Sequence, residues 1–229
     1  MKTVIVTGAN RGIGLALVDA YLSRNWRVIA TCRNPDAATD LAARRTGGAL
    51  EIERLDVGQA LDVEAFADRM EGRAVDMLIN NAGVYQRTAS LLPFDPDRWA
   101  ETLSTNALGA LHLTARLLGP LRAGGTRKIV SMSSALGSID RSTGGSNAYR
   151  SSKAALNMGM NTLAQELVGE QFTVVLISPG IVDTDLARDV PQAKISPRES
   201  AETMADLIDT LGPERTGAFL RHTGELLPW

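Results

Sequence analysis

The chain has 229 residues, of which 44% are hydrophobic and 22% are charged, with 24 basic and 26 acidic side chains. This composition is typical of a globular protein of one or two domains and excludes extensive disorder. The net charge of −2 argues against nucleic acid or an anionic membrane as a partner bound through bulk charge. A single cysteine, Cys32, excludes an internal disulfide and a multi-cysteine metal site.

We expect a cytoplasmic protein without a membrane segment. No apolar run approaches the roughly 20 residues that a membrane-spanning helix needs. A strand-like pattern begins at Thr3, so we also expect that no signal peptide precedes the fold. The two histidines, His112 and His222, have no paired spacing, and we predict no metal site.

Short apolar runs rich in β-branched residues alternate with longer segments of helical periodicity. This alternation predicts repeated strand-helix-strand units around a parallel sheet. Most of the strand-like runs are apolar at every position, as expected where helices cover both faces of the sheet. The predicted strands are 3–7, 27–31, 50–54, 75–79, 128–132, 173–177 and 218–220. The predicted helices are 13–24, 37–45, 63–70, 96–121, 148–168 and 197–211.

Loops are predicted at 144–147 and 188–196, where glycine, serine and proline concentrate. No internal repeat, linker or domain boundary is visible. We therefore predict an α/β fold in which residues 1–229 form a single doubly wound Rossmann-type domain with a seven-stranded parallel sheet.

A glycine-rich segment joins the first strand to the first helix and reads Gly8-Ala9-Asn10-Arg11-Gly12-Ile13-Gly14. Glycines at this junction permit a tight turn and bring a pyrophosphate close to the free N–H groups of a helix N-terminus. The spacing G-x-x-x-G-x-G is not the common G-x-G-x-x-G dinucleotide pattern, and alone it fits a plain turn as well. Its place between a strand and a helix favours a nucleotide site.

The end of the second strand bears on the choice of nucleotide. It reads Thr31-Cys32-Arg33 and has no carboxylate. An acidic residue there binds the ribose 2′-hydroxyl of NAD, whereas an arginine accommodates the 2′-phosphate of NADP. Arg11 and Arg33 therefore favour NADP(H) over NAD(H), with two solvated surface arginines as the alternative.

Tyr149 and Lys153 are four residues apart in a predicted helix, so both side chains project from one face. A lysine ammonium beside a phenol favours the phenolate and lowers the tyrosine pKa, which makes Tyr149 a candidate general acid/base for a carbonyl/alcohol pair. Helices carry such pairs by chance. Ser131-Met132-Ser133-Ser134 strengthens the case because it lies at the carboxyl edge of the sheet, where ligands bind.

Together these residues resemble the short-chain dehydrogenase/reductase family over essentially the whole chain. The motifs that carry the resemblance are, in order, Thr7-Gly8-x-x-x-Gly12-x-Gly14, Asp56-Val57, Asn80-Asn81-Ala82-Gly83, Asn106, Ser134, Tyr149-x-x-x-Lys153 and Pro179-Gly180-x-x-x-Thr184. The last residues, 217–229, are similar to the C-factor and sniffer-type carbonyl reductase branch. A glycine- and serine-rich insert between Ser134 and Tyr149 departs from the family pattern.

The resemblance implies a catalytic role for four residues. Tyr149 would donate a proton to the substrate carbonyl during reduction, and Ser134 would hydrogen-bond the same oxygen, with Ser133 as the alternative. Lys153 would bind the nicotinamide ribose and keep Tyr149 acidic. Asn106 would hold a water that extends the proton relay.

The resemblance also implies a set of cofactor-binding residues. Asp56 and Val57 would contact the adenine, while Thr184 and the backbone near 181–182 would anchor the carboxamide. The full set is Gly8, Asn10, Arg11, Gly12, Ile13, Gly14, Arg33, Asp56, Val57, Asn80, Ala82, Gly83, Tyr149, Lys153, Pro179, Gly180, Val182 and Thr184.

These observations predict an NADPH-dependent oxidoreductase that reversibly reduces a small or medium carbonyl to an alcohol, with a short substrate lid near 185–196. The alternatives are an NAD-dependent alcohol dehydrogenase and a dinucleotide-binding signalling protein of C-factor type. Small residues recur along the helix after Tyr149, and members of the family commonly pair through that helix. We therefore expect a homodimer or homotetramer built on Ser151, Ala155, Gly159 and Thr162.

Overall fold

The computed structural model describes residues 1–45, 47–86, 88–188 and 190–229. Its seven strands form one sheet in the order β3-β2-β1-β4-β5-β6-β7, and all neighbouring strands are parallel. The strands are β1 (Thr3–Val6), β2 (Arg27–Cys32), β3 (Leu50–Arg54), β4 (Met77–Asn80), β5 (Lys128–Met132), β6 (Thr173–Ser178) and β7 (Phe219–Arg221). The predicted Rossmann-type sheet is confirmed, and each strand begins and ends within two residues of its predicted bounds.

Helices cover both faces of this sheet. They are α1 (Gly12–Ser23), α2 (Thr39–Ala42), α3 (Ala60–Met70), α4 (Pro96–Leu103), α5 (Gly109–Arg116), α6 (Leu118–Ala123), α7 (Asn147–Glu166) and α8 (Pro197–Thr210). Val4 and Val6 of β1 pack into one apolar cluster with α1 and α8, whereas Ile5 packs into the other with α3, α5 and α7. Because both faces are buried, the strands are apolar without alternation.

The prediction of one helix over 96–121 is wrong. A wide turn of π-helical hydrogen bonding at Ser104–Leu108 separates α4 from α5, and α6 follows as a further short helix. The side chain of Asn106, in the middle of this turn, bonds the backbone N–H and carbonyl of Val84, both at 2.8 Å. A contact with a distant loop thus fixes the irregularity, as is common for π turns at functional sites.

The helix predicted over 37–45 is also shorter than expected. A 3₁₀ turn at Pro35–Ala37 precedes α2, in which only Leu41 is buried. With a single apolar anchor, little tertiary packing is available to extend the helix.

The strand order places the site. β1 lies between β2 and β4, so the chain direction across the sheet reverses between β1 and β4. In open α/β sheets the crevice beyond the carboxyl ends of the strands at such a point is the usual ligand site. No helix in the described part of the chain is both long and apolar enough to cross a membrane.

Gly109 allows α5 to approach the loop after β3. A Cβ on Gly109 would lie 2.1 Å from the Val57 carbonyl oxygen, whereas a Cβ on Gly119 in α6 would meet nothing within 4 Å. We predict that Gly109→Ala lowers the free energy of unfolding by about 2 kcal/mol because of this clash. Gly119→Ala is the control and should leave it unchanged or raise it slightly, since alanine favours the helix. Urea unfolding measures both, and equal midpoints would refute the clash.

Candidate active site

Three glycines shape a cradle between β1 and α1. Gly8 and Gly12 have φ angles of +64° and +56°, which favour glycine. A Cβ on Gly14 would lie 2.3 Å from the Gly8 carbonyl oxygen, and one on Gly8 would lie 2.8 Å from the Ala82 Cα. Among the described residues no side chain caps the N-terminus of α1, and the first turn of this helix has no acidic residue. Free N–H groups and the positive end of a helix dipole are the donors that a pyrophosphate needs.

A cavity of about 910 Å³ runs along this edge of the sheet. It extends from Arg33, just after β2, past the glycine cradle to Tyr149 and Lys153 on α7. Its volume is within the range of small-molecule and cofactor sites, roughly 300–1,000 Å³. The predicted cofactor-binding residues that line it are Gly8, Asn10, Arg11, Gly12, Ile13, Gly14, Arg33, Asp56, Val57, Ala82, Gly83, Tyr149, Lys153, Pro179 and Thr184.

Three predicted cofactor-binding residues do not line the cavity. Asn80 is buried, and its amide donates to the Thr114 hydroxyl at 2.9 Å, which ties β4 to α5. Gly180, at φ +88°, packs against the His222 ring. Val182 is buried and pairs with Ile195 through a short parallel bridge. These residues shape the walls behind the cavity.

The two arginines have different surroundings. Arg33 lines the cavity at the end of β2. Arg11 also lines the cavity, but its Nη1 atom pairs with Asp185 at 2.7 Å, and the other carboxylate oxygen of Asp185 accepts a hydrogen bond from Arg188 at 2.6 Å. A contact of the two arginines with the adenosine phosphate stays a prediction, and in this structure Arg11 is paired with the segment after Thr184.

The structure distinguishes the two candidate serines. The Ser133 hydroxyl is buried and bonds the Asn157 side chain at 2.5 Å. The Ser134 side chain is half-buried at the start of a 3₁₀ turn, and its hydrogen bond lowers the pKa of Tyr149. Ser134 thus acts on the phenol, whereas Ser133 lines the cavity and braces β5 against α7. The choice of Ser134 over Ser133 as the catalytic serine stays a prediction.

Lys153 is buried beneath Tyr149 on the next turn of α7. Its Nζ atom donates to the Met132 carbonyl at 2.7 Å and lies 5.8 Å from the centre of the Tyr149 ring. Burial lowers the pKa of Lys153 to about 8. The expectation that Lys153 lowers the pKa of Tyr149 is wrong for this arrangement, because burial is the larger effect and raises the pKa of Tyr149 to about 12.

Asn106 and Lys153 both lie beside Gly83. Its amide group donates to the Val84 carbonyl and to the Ser152 hydroxyl, at 2.8 and 3.0 Å. A Cβ on Gly83 would lie 3.2 Å from Asn106 Oδ1 and 3.8 Å from Lys153 Nζ. The absent side chain leaves space that connects these two polar groups.

Sequence reasoning missed several residues of the site. Asn34, Ala37, Leu55, Gly58 and Gln59 line the far end of the cavity. They follow β2 and β3, and the position of a strand end was the signal that could have found them. Tyr85 was also missed, although its ring meets the Tyr149 ring edge to face, with centroids 4.8 Å apart. Across the described ranges, no three His, Cys, Asp or Glu side chains are grouped as metal ligands would be.

A doubly wound sheet with a glycine cradle at its carboxyl edge is typical of nucleotide-binding enzymes. Comparison with known proteins gives the family: residues 2–195 match the family model for short chain dehydrogenases, and the chain belongs to the short-chain dehydrogenase/reductase family. The C-signal protein of Myxococcus xanthus is 40% identical over 168 residues, which cover 73% of this chain and 100% of that protein.

Two solved structures share the fold along the whole chain. Carbonyl reductase Sniffer of D. melanogaster matches with a TM-score of 0.94 and 29% identity, covering 100% of both chains. An NADPH-bound carbonyl reductase from chicken fatty liver matches with a TM-score of 0.90 and 30% identity, covering 100% of this chain and 99% of that chain. The chain is an oxidoreductase of the C-factor and sniffer type within its family, as the motifs predict.

The buried lysine makes a prediction about stability. Since the pKa of Lys153 is about 8 in the folded chain and 10.5 in the reference state, the unfolded chain binds more protons between these values. The buried charge of Lys153 destabilises the folded chain fully below about pH 8, and this destabilisation fades as the pH rises toward 10.5. We predict that the stability of Lys153→Met relative to the wild type falls by about 2 kcal/mol between pH 7 and pH 9.5.

Urea unfolding at the two pH values measures this difference. Lys2→Met, at an exposed position, is the control for the removal of a lysine side chain. A Lys153→Met difference that does not change with pH would contradict the assigned shift.

Proposed function

We propose that the protein is an NADPH-dependent carbonyl reductase that reversibly converts a small or medium ketone or aldehyde to an alcohol, with Tyr149 as the general acid/base. The observation that carries this proposal is the position of the Tyr149 phenol. It lines the same cavity as the glycine cradle, with Ser134 and Lys153 beside it. Membership of the family and the likeness to the two carbonyl reductases support it.

The residues divide the chemistry between them. A bound nicotinamide supplies the hydride. The Ser134 hydroxyl bonds the substrate carbonyl oxygen, and the Tyr149 phenol gives that oxygen a proton. Because the pKa of Tyr149 is raised to about 12, the phenol is protonated at neutral pH and ready for reduction. The Lys153 ammonium then stabilises the phenolate, and the space beside Gly83 offers a route for reprotonation toward Asn106.

The raised pKa of Tyr149 also bears on the direction of the reaction, reduction or oxidation. Alcohol oxidation needs a phenolate as base, which a pKa of about 12 makes scarce at neutral pH. We infer that this chain favours reduction near neutral pH and that oxidation gains from alkaline conditions.

The preference for NADPH rests on Arg33. It lines the cavity at the end of β2, where NAD-binding chains place a carboxylate, and a guanidinium there is suited to the 2′-phosphate. Arg11 also lines the cavity, and its Nη1 atom is already paired with Asp185. An NAD-dependent alcohol dehydrogenase is the alternative that this residue argues against.

A second candidate function is supported by the 40% identity to C-signal: a dinucleotide-binding signalling protein. Such a role needs the glycine cradle but not a proton donor beside the cavity. Loss of the Tyr149 hydroxyl therefore separates the two candidates, because it would spare signalling by binding alone and would stop reduction.

We further propose that residues 1–229 act as one domain with a short lid, since the sheet carries both the cofactor cradle and the catalytic residues. Asp185 and Leu186 of the lid segment line the cavity. Assembly into a dimer or tetramer stays a prediction. Gly159, one of the residues predicted for the interface, faces α5 of the same chain, because a Cβ there would lie 2.6 Å from Leu111.

We predict that Tyr149→Phe lowers kcat for NADPH-dependent carbonyl reduction by at least about a hundredfold, since it removes the proton donor. NADPH binding, measured by thermal shift, should persist because the ring is retained. Tyr21→Phe is the matched control: its hydroxyl is buried in the core without a partner among the described residues, so activity should be unchanged. A fully active Tyr149→Phe enzyme would overturn the proposed function.

We predict that Arg33→Gln weakens NADPH binding by about tenfold or more and changes NADH binding little, because one charge-assisted bond to the 2′-phosphate is lost. Titration of each cofactor by fluorescence gives the two dissociation constants. Arg27→Gln, at the opposite end of β2, is the control. Equal losses for NADPH and NADH in Arg33→Gln would argue against the assigned contact.

A further inference from the structure

We propose that Tyr85 is a positioning residue for the reaction: its ring holds the Tyr149 phenol in place, and its hydroxyl anchors that ring to the start of α7. This inference rests on the proposed role of Tyr149 as proton donor. Tyr85 lies two residues after the Asn80–Gly83 motif in the loop after β4, outside the residues that the family motifs mark.

The contact between the two rings is specific. The ring planes are 84° apart and their centroids are 4.8 Å apart, which is the edge-to-face geometry that aromatic pairs prefer. A phenol has free rotation about its χ angles unless neighbours restrict it. Tyr149 is only half-buried because it lines the cavity, and the Tyr85 ring restricts it on one side.

The Tyr85 hydroxyl is itself fixed. It lies 2.9 Å from the Ser146 hydroxyl, and Ser146 is the residue before α7, with a φ of +48°. The Ser146 N–H donates to the Thr88 carbonyl at 2.7 Å, and the Asn147 N–H donates to the Thr88 hydroxyl at 3.3 Å. The loop after β4 is thereby tied to the first turn of α7, the turn that carries Tyr149.

The position of Tyr85 separates its effect from cofactor binding. In the described part of the chain, Val84 and Tyr149 line the cavity but Tyr85 does not. The groups against the phenol are the Tyr85 ring, the Ser134 hydroxyl and, on the next turn of α7, Lys153. Removing the Tyr85 ring would let water reach the phenol and lower the pKa of Tyr149, since burial is the largest cause of its rise.

Four variants test the proposal by steady-state reduction with NADPH. They are Tyr85→Leu, Tyr85→Phe, Ser146→Ala and the double variant that combines Tyr85→Phe with Ser146→Ala. Tyr85→Leu removes the edge-to-face pair and should lower kcat by about tenfold, the upper end of what such a pair contributes. NADPH affinity should stay within about twofold, and the alkaline fall of kcat should move to lower pH.

The other variants test the tether. Tyr85→Phe keeps the ring and should retain most activity, with a loss of about threefold, typical of one neutral hydrogen bond. Ser146→Ala should match it, and the double variant should lose no more than either single variant, because both remove the same bond.

Three results would overturn the proposal. The first is a Tyr85→Leu kcat within about twofold of the wild type, and the second is a loss of NADPH affinity in Tyr85→Leu as large as its loss of kcat. The third is additive losses of kcat in the double variant. The failure of the proposed function is seen separately. It would appear as an active Tyr149→Phe enzyme, whereas an inactive Tyr149→Phe with an unaffected Tyr85→Leu refutes only the role of Tyr85.

Discussion

The direct packing of the glycine cradle on the turn after β4 is the constraint on which the rest of the site depends. The Thr7 hydroxyl accepts hydrogen bonds from the Asn81 and Ala82 N–H groups, at 2.9 and 3.0 Å, and the Asn81 amide donates back to the Thr7 carbonyl at 2.8 Å. Gly8 has no room for a side chain against Ala82. The ends of β1 and β4 are therefore clamped together, which fixes the floor of the cavity.

From this clamp the geometry continues to the catalytic residues. The turn after β4 ends at Gly83, which lies beside both Asn106 and Lys153. Burial then acts in opposite directions on the two titratable groups of α7: it raises the pKa of Tyr149 and lowers that of Lys153. Each shift disfavours the charged form. The Tyr149 phenol therefore holds its proton at neutral pH, and the neighbouring Lys153 ammonium loses its proton near pH 8. This combination is suited to proton donation.

The sequence predicts most of this architecture because its signals are local. Continuous apolar runs predict the strands, and the glycine spacing predicts the cradle at the start of α1. What could not be predicted depends on contacts between distant residues. The break at Ser104–Leu108 needs Val84, and the orientation of Arg11 needs Asp185, 174 residues away. No local pattern reports such partners, and the pKa of Tyr149 depends on burial, which only the packed chain defines.

The claim at the centre of this account is that Tyr149 donates the proton from a protonated phenol on the wall of the cavity. The most direct test is the pH dependence of kcat for NADPH-dependent reduction across a panel of aldehydes and ketones, with product alcohol measured beside NADPH loss. The account predicts stoichiometric alcohol formation, with a rate that is flat through neutral pH and falls under alkaline conditions as Lys153 and then the phenol lose their protons. A reduction rate that rises with pH, or no NADPH consumption with any carbonyl of the panel, would contradict it.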